Sequence, residues 1–184
     1  MNKERQVIKP GTVVFFSGDV EGKELEPLSD KSLTVVICGD LALKEDLFFK
    51  GDLYVHGNIT GENDISIYGS LNCNGKINIE NICITGDFKT YDHIESYNIS
   101  VDGDFCTEYS VNACKITVGG CFYAGDIDSG NICVGGDFCC ESVDANTNDI
   151  NVAGDFKCKN NVKNAPNINT LGKIRVDGSI LTLN

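Results

Sequence analysis

Apolar and polar positions alternate in short stretches along most of the chain, and one phrase recurs in them. It reads aliphatic, any residue, aliphatic, any residue, Gly, usually Asp, then Phe. The phrase occurs five times between Ile82 and Phe156, and its glycines are 17, 17, 16 and 18 residues apart. Alternation over a few residues is the pattern of a strand with one buried face. A fixed period with the same residue types in the same slots indicates one structural unit that is stacked repeatedly.

The length of this period predicts the fold class. A parallel connection that contains a helix needs a dozen or more residues beyond its strands, and a period near 17 leaves no room for them. The sequence therefore predicts an all-β protein, a single-stranded, three-sided parallel β-helix (β-solenoid) with coils of about 17 residues. In the coil that begins at Ile99, the inward pairs of the three sides are Ile99 and Val101, Phe105 and Thr107, and Val111 and Ala113.

The repeated slots predict a core stack and a set of corners. Like residues of stacked coils lie about 4.8 Å apart, so one internal aromatic stack is expected from Phe88, Phe105, Phe122, Phe138 and Phe156. Glycine at a corner is explained by its access to positive φ. The predicted corner glycines are Gly39, Gly69, Gly86, Gly103, Gly120, Gly136, Gly154 and Gly178.

The repeat also divides the chain. Residues 1–33 carry it poorly and are predicted to form an N-terminal cap and a degenerate first coil, because an open end exposes strand edges. Residues 34–184 form the solenoid, with a loop insertion at about 157–170, because Gly154 and Gly178 are 24 residues apart. The chain ends in strand pattern, so Ile180, Leu181 and Leu183 are predicted to form an end that self-associates.

Composition narrows the possible partners. The chain of 184 residues has 15 basic and 27 acidic side chains, a net charge of −12. Such a surface repels phosphate backbones and anionic lipid, so we expect neither nucleic acid nor membrane as a partner. No apolar stretch resembles a signal peptide or a membrane span, which favours a cytoplasmic location. Most of the ten cysteines occupy slots that other coils fill with small residues, which is typical of buried or half-buried thiols.

The most regular polar feature is an aspartate that follows the corner glycine. This column contains Asp40, Asp52, Asp87, Asp104, Asp137 and Asp155. A carboxylate ladder could hold hard cations such as Ca²⁺. However, the glycine-rich nonapeptide of Ca²⁺-binding β-rolls is absent. Turn chemistry is the favoured interpretation, because an aspartate can bond to nearby backbone N–H groups.

Other chemistry has weak support in the sequence. Cys140 and Cys158 occupy the same inward slot of adjacent coils, so contact between them is expected, as reduced thiols rather than a disulfide or a metal site. His56 and His93 are the only histidines that could act as a base, and neither lies in a nucleophile motif. The sequence therefore assigns no catalytic residue, no metal ligand and no cofactor.

The repeat phrases over Val35–Ile59 and Ile65–Phe156 resemble those of the bactofilin family, polymer-forming cytoskeletal proteins of bacteria. The resemblance implies a right-handed β-helix and end-to-end self-assembly without nucleotide. The Phe and Cys columns depart from the family pattern. A cap at one end favours a discrete dimer over a filament.

Three classes of function stay open. The first is a non-enzymatic scaffold that self-associates as a dimer or polymer. The second is a β-solenoid enzyme, either polysaccharide-acting or acyltransferase-like. The third is a binding module whose acidic surface docks a basic protein. The regular repeat, the open end and the lack of a catalytic constellation favour the scaffold.

Overall fold

The computed structural model describes residues 6–7, 13–31, 33–146 and 148–181. Two 3₁₀ segments, Gly22–Glu24 and Glu26–Lys31, are the helical parts of this described chain, and neither is long or apolar enough to cross a membrane. The strands in chain order are β1 (Gln6–Val7), β2 (Val13–Phe16), β3 (Val20–Glu21), β4 (Leu33–Ile37), β5 (Leu41–Leu43), β6 (Leu47–Val55), β7 (Ile59–Gly61), β8 (Ile65–Tyr68), β9 (Leu71–Cys73), β10 (Ile77–Ile84), β11 (Phe88–Thr90), β12 (Ile94–Val101), β13 (Phe105–Thr107), β14 (Val111–Val118), β15 (Phe122–Val134), β16 (Phe138–Asp144), β17 (Ile150–Val152), β18 (Phe156–Cys158), β19 (Val162–Lys163), β20 (Ile168–Thr170), β21 (Ile174–Val176) and β22 (Ile180–Leu181).

The strands wind around one axis as a parallel β-solenoid of about nine turns, with equivalent residues about 18 apart. The strands of the inner coils pair in parallel with the strands one turn before and after them, so that Phe88 pairs with Phe105 and Ile82 with Ile99. The predicted fold class is confirmed. Parallel, in-register stacking follows from the sequence, because a slip of one residue would turn every aliphatic side chain outward.

Each coil has three sides, which we name after their inward residues. In one coil the Ile face carries Ile99 and Val101, the Phe face carries Phe105 and Thr107, and the third face carries Val111 and Ala113. All six side chains are buried, as the alternation predicts. Hydrophobic burial of this kind is the main stabilising contribution, and the buried side chains of successive coils form one continuous core.

The five phenylalanines of the Phe face form one internal stack. Ring centroids of Phe88 and Phe105 are 4.6 Å apart, those of Phe105 and Phe122 4.7 Å, and the two following pairs, up to Phe156, 5.1 Å. The first three pairs are stacked and the last is tilted by 38°. All five rings are buried. The column continues with Leu71 on one side and Ile174 on the other.

The predicted corner glycines lie in two columns, at two different corners of the solenoid. The corner between the Ile face and the Phe face contains Gly69, Gly86, Gly103, Gly120, Gly136 and Gly154, joined from coil to coil by backbone hydrogen bonds. This column continues to Gly172, whose N–H donates to the Gly154 oxygen at 3.2 Å. Gly39 lies instead at the corner after the Phe face, where the N–H of Gly57 donates to its oxygen. Gly178 also follows the Phe face, since β21 pairs with β18.

The physical reason for glycine at these corners also differs from the prediction. Within the described residues, positive φ occurs only at Gly51 and Gly69 among the glycines, and the value at Gly69, 159°, is close to fully extended. A Cβ on Gly120 would lie 2.8 Å from the Gly103 oxygen and 2.2 Å from Oδ1 of Asp104. Close approach of successive coils, not φ, therefore requires glycine at this corner.

The predicted loop insertion at residues 157–170 is wrong. This segment contains the end of β18, then β19 and β20, and each pairs in parallel with the coil before it. Ile150 pairs with Ile168 and Phe156 with Ile174, both 18 residues on. The stretch is therefore an ordinary coil. The spacing of 24 arose because Gly154 and Gly178 lie at different corners.

Residues 13–31 form the first coil. Strands β2 and β3 pair in parallel with β4 on the Phe face and β5 on the third face. The 3₁₀ segments follow β3 and take the place of an Ile-face strand in this coil. Leu25 and Leu28 of these segments are buried. Strand β1 pairs antiparallel with β2, on the edge that a preceding coil would occupy. This end of the solenoid is thus covered by elements that do not repeat.

Candidate functional site

The open C-terminal end is the first candidate site. Within the described chain, β20, β21 and β22 each pair with a single strand, β17, β18 and β19 respectively. Ile174 and Ile180 continue inward columns, yet they are 48% and 51% exposed because the described residues place no further coil over them. Their counterparts one coil earlier, Phe156 and Val162, are fully buried. This end therefore presents both apolar side chains and free strand edges.

The structure places the predicted end residues differently from one another. Ile180 lies in an inward column, whereas Leu181 pairs with Lys163 in an outward column of the third face and is half exposed. Leu183 lies outside the described residues. Sequence reasoning did not include Ile174 in this end. The equivalent residues of earlier coils are buried, and no sequence feature marks Ile174 as the exposed residue of that column.

The aspartates do not form one column, but each acts as a link between coils. Oδ1 of Asp87 accepts the backbone N–H of Asp104 at 2.9 Å, and Oδ1 of Asp104 accepts that of Cys121 at 2.7 Å. Asp40 belongs to the other corner, where it accepts the N–H of Asn58 at 2.7 Å. Three further aspartates accept a backbone N–H of the next coil through Oδ1: Asp52 from Ser70, Asp137 from Asp155, and Asp155 from Lys173. These carboxylates therefore bond to the backbone of the next coil, 17 or 18 residues on, and not within their own turn as predicted. No group of three or more His, Cys, Asp or Glu that could hold a metal ion occurs in the described residues.

The cysteines are less uniform than predicted. Cys73, Cys140 and Cys158 are buried, and Cys106, Cys121 and Cys139 are half-buried, whereas Cys38, Cys83, Cys114 and Cys133 are exposed. Burial raises the pKa of the Cys73 thiol to about 12. The four exposed cysteines lie on outward positions of the coils, where alternation alone does not require a small or apolar residue.

Cys140 and Cys158 are the closest thiol pair that the strand register produces. They are register partners on β16 and β18 and face inward. A hydrogen bond between the two sulfur atoms raises the pKa of Cys140, with burial as a second cause, and lowers the pKa of Cys158. Both line a cleft of about 900 Å³ on the Phe face, together with Tyr123, Lys157 and Arg175. The cations of this cleft are paired with carboxylates, as in the 2.8 Å contact from Arg175 to Asp177.

The histidine sites give only part of a catalytic arrangement. Nδ1 of His93 contacts Oγ of Ser110 on the next coil, beside the Tyr109 ring. The Asp92 carboxylate lies 3.8 Å from Nε2 of His93, beyond hydrogen-bonding distance, and it already accepts the backbone N–H of His93. An activated serine needs a base that a third group orients, and this orienting bond is missing. His56 is exposed at a corner, where its backbone N–H donates to the backbone oxygen of Ile37.

The fold and these sites define a three-sided β-solenoid with one covered and one open end. No protein-family model, no curated protein and no solved structure matches the chain.

Proposed function

We propose that the protein is a non-enzymatic structural protein that self-associates, and that two copies pair through their open C-terminal ends. The observation that carries the proposal is the contrast between the two ends. Apolar side chains of the first coil, such as Val14 and Val20, are buried, whereas Ile174 and Ile180 of the last coil are half exposed.

The direction of the backbone hydrogen bonds shows what this edge offers. The N–H of Phe156 donates to the Lys173 oxygen at 2.8 Å, and the N–H of Val162 donates to the Ser179 oxygen at 2.9 Å. The counterparts of these donors one coil later are Ile174 and Ile180. Their N–H groups therefore point along the solenoid axis, beyond the last described coil. A strand edge with unpaired N–H and C=O groups is a template for another strand.

A second copy of this same edge is the occupant that fits best. Pairing around a two-fold axis perpendicular to the solenoid brings β21 against its own copy and β20 against β22, all antiparallel. Such an interface is self-complementary and closes as a dimer. Head-to-tail stacking is disfavoured, because β1 already occupies the edge of β2 at the N-terminal end.

The two alternatives have less support. An enzyme would need an oriented nucleophile or acid–base pair, and His93, which contacts Ser110, donates no hydrogen bond to Asp92 that would orient its ring. A binding module for a basic protein is compatible with the net charge of −12, but the aspartates of the repeat phrase are already engaged in bonds between coils. The bactofilin-like repeat phrases agree with the structural role.

The test compares assembly with edge-blocking variants. Light scattering and sedimentation over a wide range of concentration should show a dimer, because pairing buries Ile174 and Ile180. Ile174→Lys with Ile180→Lys should give a monomer, because lysine on an edge places a charge in the interface. Circular dichroism and thermal unfolding of the variant should remain close to those of the parent, since both side chains are already half exposed.

The matched control is Phe48→Lys with Tyr68→Lys, which introduces the same two charges at side chains that are exposed on the Ile face, far from the edge. It should leave the dimer unchanged. A parent protein that stays monomeric at the highest concentration, or an edge variant that still dimerises, would rule out the proposed pairing.

A further inference from the structure

We propose that Cys140 and Cys158 are a redox-active pair that forms a disulfide when a peroxide reaches the cleft of the Phe face. The pair would then act as a reversible covalent link between two neighbouring coils.

The strand register supplies the geometry. Cys140 and Cys158 are direct Cα partners in adjacent parallel strands. Neighbouring strands lie about 4.8 Å apart, and the Cα atoms of a disulfide are usually about 4.4–6.8 Å apart. Both side chains point to the same side of the sheet. The Cys140 thiol contacts the Lys157 oxygen at 3.9 Å, and the Cys158 thiol contacts the Glu141 and Asn161 oxygens at 3.5 Å, so neither sulfur is held by a bond that the disulfide would have to displace other than these long contacts to carbonyls. The bond therefore needs no rearrangement of the backbone.

No other cysteine in the paired strands has this arrangement. The register partners of Cys106 are Lys89 and Tyr123, and those of Cys139 are Tyr123 and Lys157. Cys73 occupies the same inward column, but its partners are Val55 and Thr90. A disulfide within the chain is thus specific to Cys140 and Cys158.

Access to the pair fits a small oxidant. Cys140 is 7% and Cys158 is 2% exposed, and both line the cleft. The slot is shielded from a protein-sized reagent but open to a molecule the size of hydrogen peroxide. The lowered pKa of Cys158, caused by the hydrogen bond from Cys140, favours its thiolate as the first nucleophile.

The chemistry balances with one peroxide. The Cys158 thiolate attacks one oxygen of hydrogen peroxide, the O–O bond breaks, and a sulfenic acid and hydroxide are formed. The Cys140 sulfur then attacks the Cys158 sulfur and displaces the sulfenic oxygen as water, while hydroxide takes up the proton that Cys158 had lost. Two thiols are oxidised and one peroxide is reduced to two waters. A thiol reductant reverses the reaction by exchange.

The experiment uses a variant of the full chain in which the seven cysteines that are not buried are replaced by serine, so that Cys73, Cys140 and Cys158 remain. The folded variant is treated with hydrogen peroxide, quenched, unfolded and alkylated, and its intact mass is measured. We expect two thiols to be protected and one, Cys73, to be alkylated. We also expect Tm to rise by about 6–12 °C, because the bond closes a loop in the unfolded chain, and to return on addition of a reductant.

The matched control is Cys158→Ala in the same background, since Ala124 fills this slot two coils earlier and fits it. This control should lose both the protection and the rise in Tm. If the serine-rich variant does not fold, peroxide treatment of the parent followed by peptic mapping must show the peptide that links Cys140 to Cys158.

Three alkylated thiols after oxidation, or oxidation of Cys140 or Cys158 without a link between them, would overturn the inference. Protection that involves Cys73 would show reaction through global unfolding and would overturn it as well. The inference is independent of dimerisation, because the pair lies within one chain and a monomer would show the same result.

Discussion

At the corner between the Ile face and the Phe face, the backbone of each coil passes directly over the preceding one. A Cβ on Gly103 would lie 2.6 Å from the Gly86 oxygen and 2.4 Å from Oδ1 of Asp87. The same coil contact includes the bond from the Asp104 N–H to that carboxylate. The glycine of the repeat phrase therefore allows two successive coils to approach closely, and the aspartate links them by a hydrogen bond.

Gly103→Ala should therefore destabilise the protein by about 1–3 kcal/mol, because the new methyl group meets backbone that cannot move independently. Urea unfolding at equilibrium measures the change. Gly18→Ala is the matched control, since a Cβ at this first-coil corner has no atom within 4 Å. Equal stability of the two variants would contradict close approach as the reason for glycine.

Ser129 is a buried position whose hydroxyl group lacks a hydrogen-bond partner. The Ser129 hydroxyl is fully buried and forms no hydrogen bond, whereas Ser96, two coils earlier in the same column, bonds to the oxygens of Glu80 and Asn98. Ala113 lies between them in register. Alanine therefore fits this column without a change in the backbone.

Ser129→Ala should raise the free energy of unfolding by about 1 kcal/mol, because it removes an unpaired buried hydroxyl. Ser96→Ala should lower it by about 1 kcal/mol, because it removes the hydrogen bond that the single hydroxyl proton makes to these two carbonyl oxygens. Chemical denaturation of the two variants side by side gives the comparison. A loss of stability in Ser129→Ala would show that its hydroxyl is satisfied in solution.

The strands of the central coils could be read from the sequence almost completely, because burial alternates strictly and each inward slot repeats. Assignment of strands to faces was harder. The phrase aliphatic, any, aliphatic, any, Gly closes the Ile face at Val101 and the Phe face at Ile37, so the sequence does not reveal which corner a glycine occupies. That ambiguity produced both the single aspartate column and the false insertion.

The candidate sites were predictable to different degrees for similar reasons. Contact between Cys140 and Cys158 follows from their shared slot. The cleft beside them does not, because it depends on the sizes of outward side chains across several coils. Exposure of Ile174 depends on the absence of a covering coil among the described residues, which no local pattern encodes.

The corrected coil at residues 157–170 can be tested directly. Val162 is fully buried in this segment, so Val162→Asp should lower the free energy of unfolding by about 4 kcal/mol through an unpaired buried charge. Lys163→Asn, at the exposed neighbouring position, should change it by at most about 0.5 kcal/mol. Thermal and urea unfolding check both. A loop insertion would instead tolerate the two changes equally.

Charge is distributed unevenly along the solenoid. Residues 156–181 contain five Lys or Arg and one Asp, a net charge of +4, although the whole chain carries −12. Pairing of two C-terminal ends therefore brings positive charge against positive charge. Head-to-tail stacking would instead place this end against the first coil, where residues 13–31 contain five acidic and two basic side chains.

The two modes of assembly consequently respond to salt in opposite directions. The screening length falls from about 10 Å at 0.1 M salt to about 3 Å at 1 M, so added salt should tighten a dimer of C-terminal ends and weaken a head-to-tail chain. Sedimentation at both salt concentrations gives the dissociation constants.

Lys163→Ser with Lys173→Ser, which halves the local charge, should tighten the dimer at low salt and flatten its salt dependence. This double variant separates charge repulsion from the general strengthening of apolar contacts by salt, because that strengthening would persist when the lysines are gone. Weaker association of the parent at high salt would contradict the pairing of C-terminal ends.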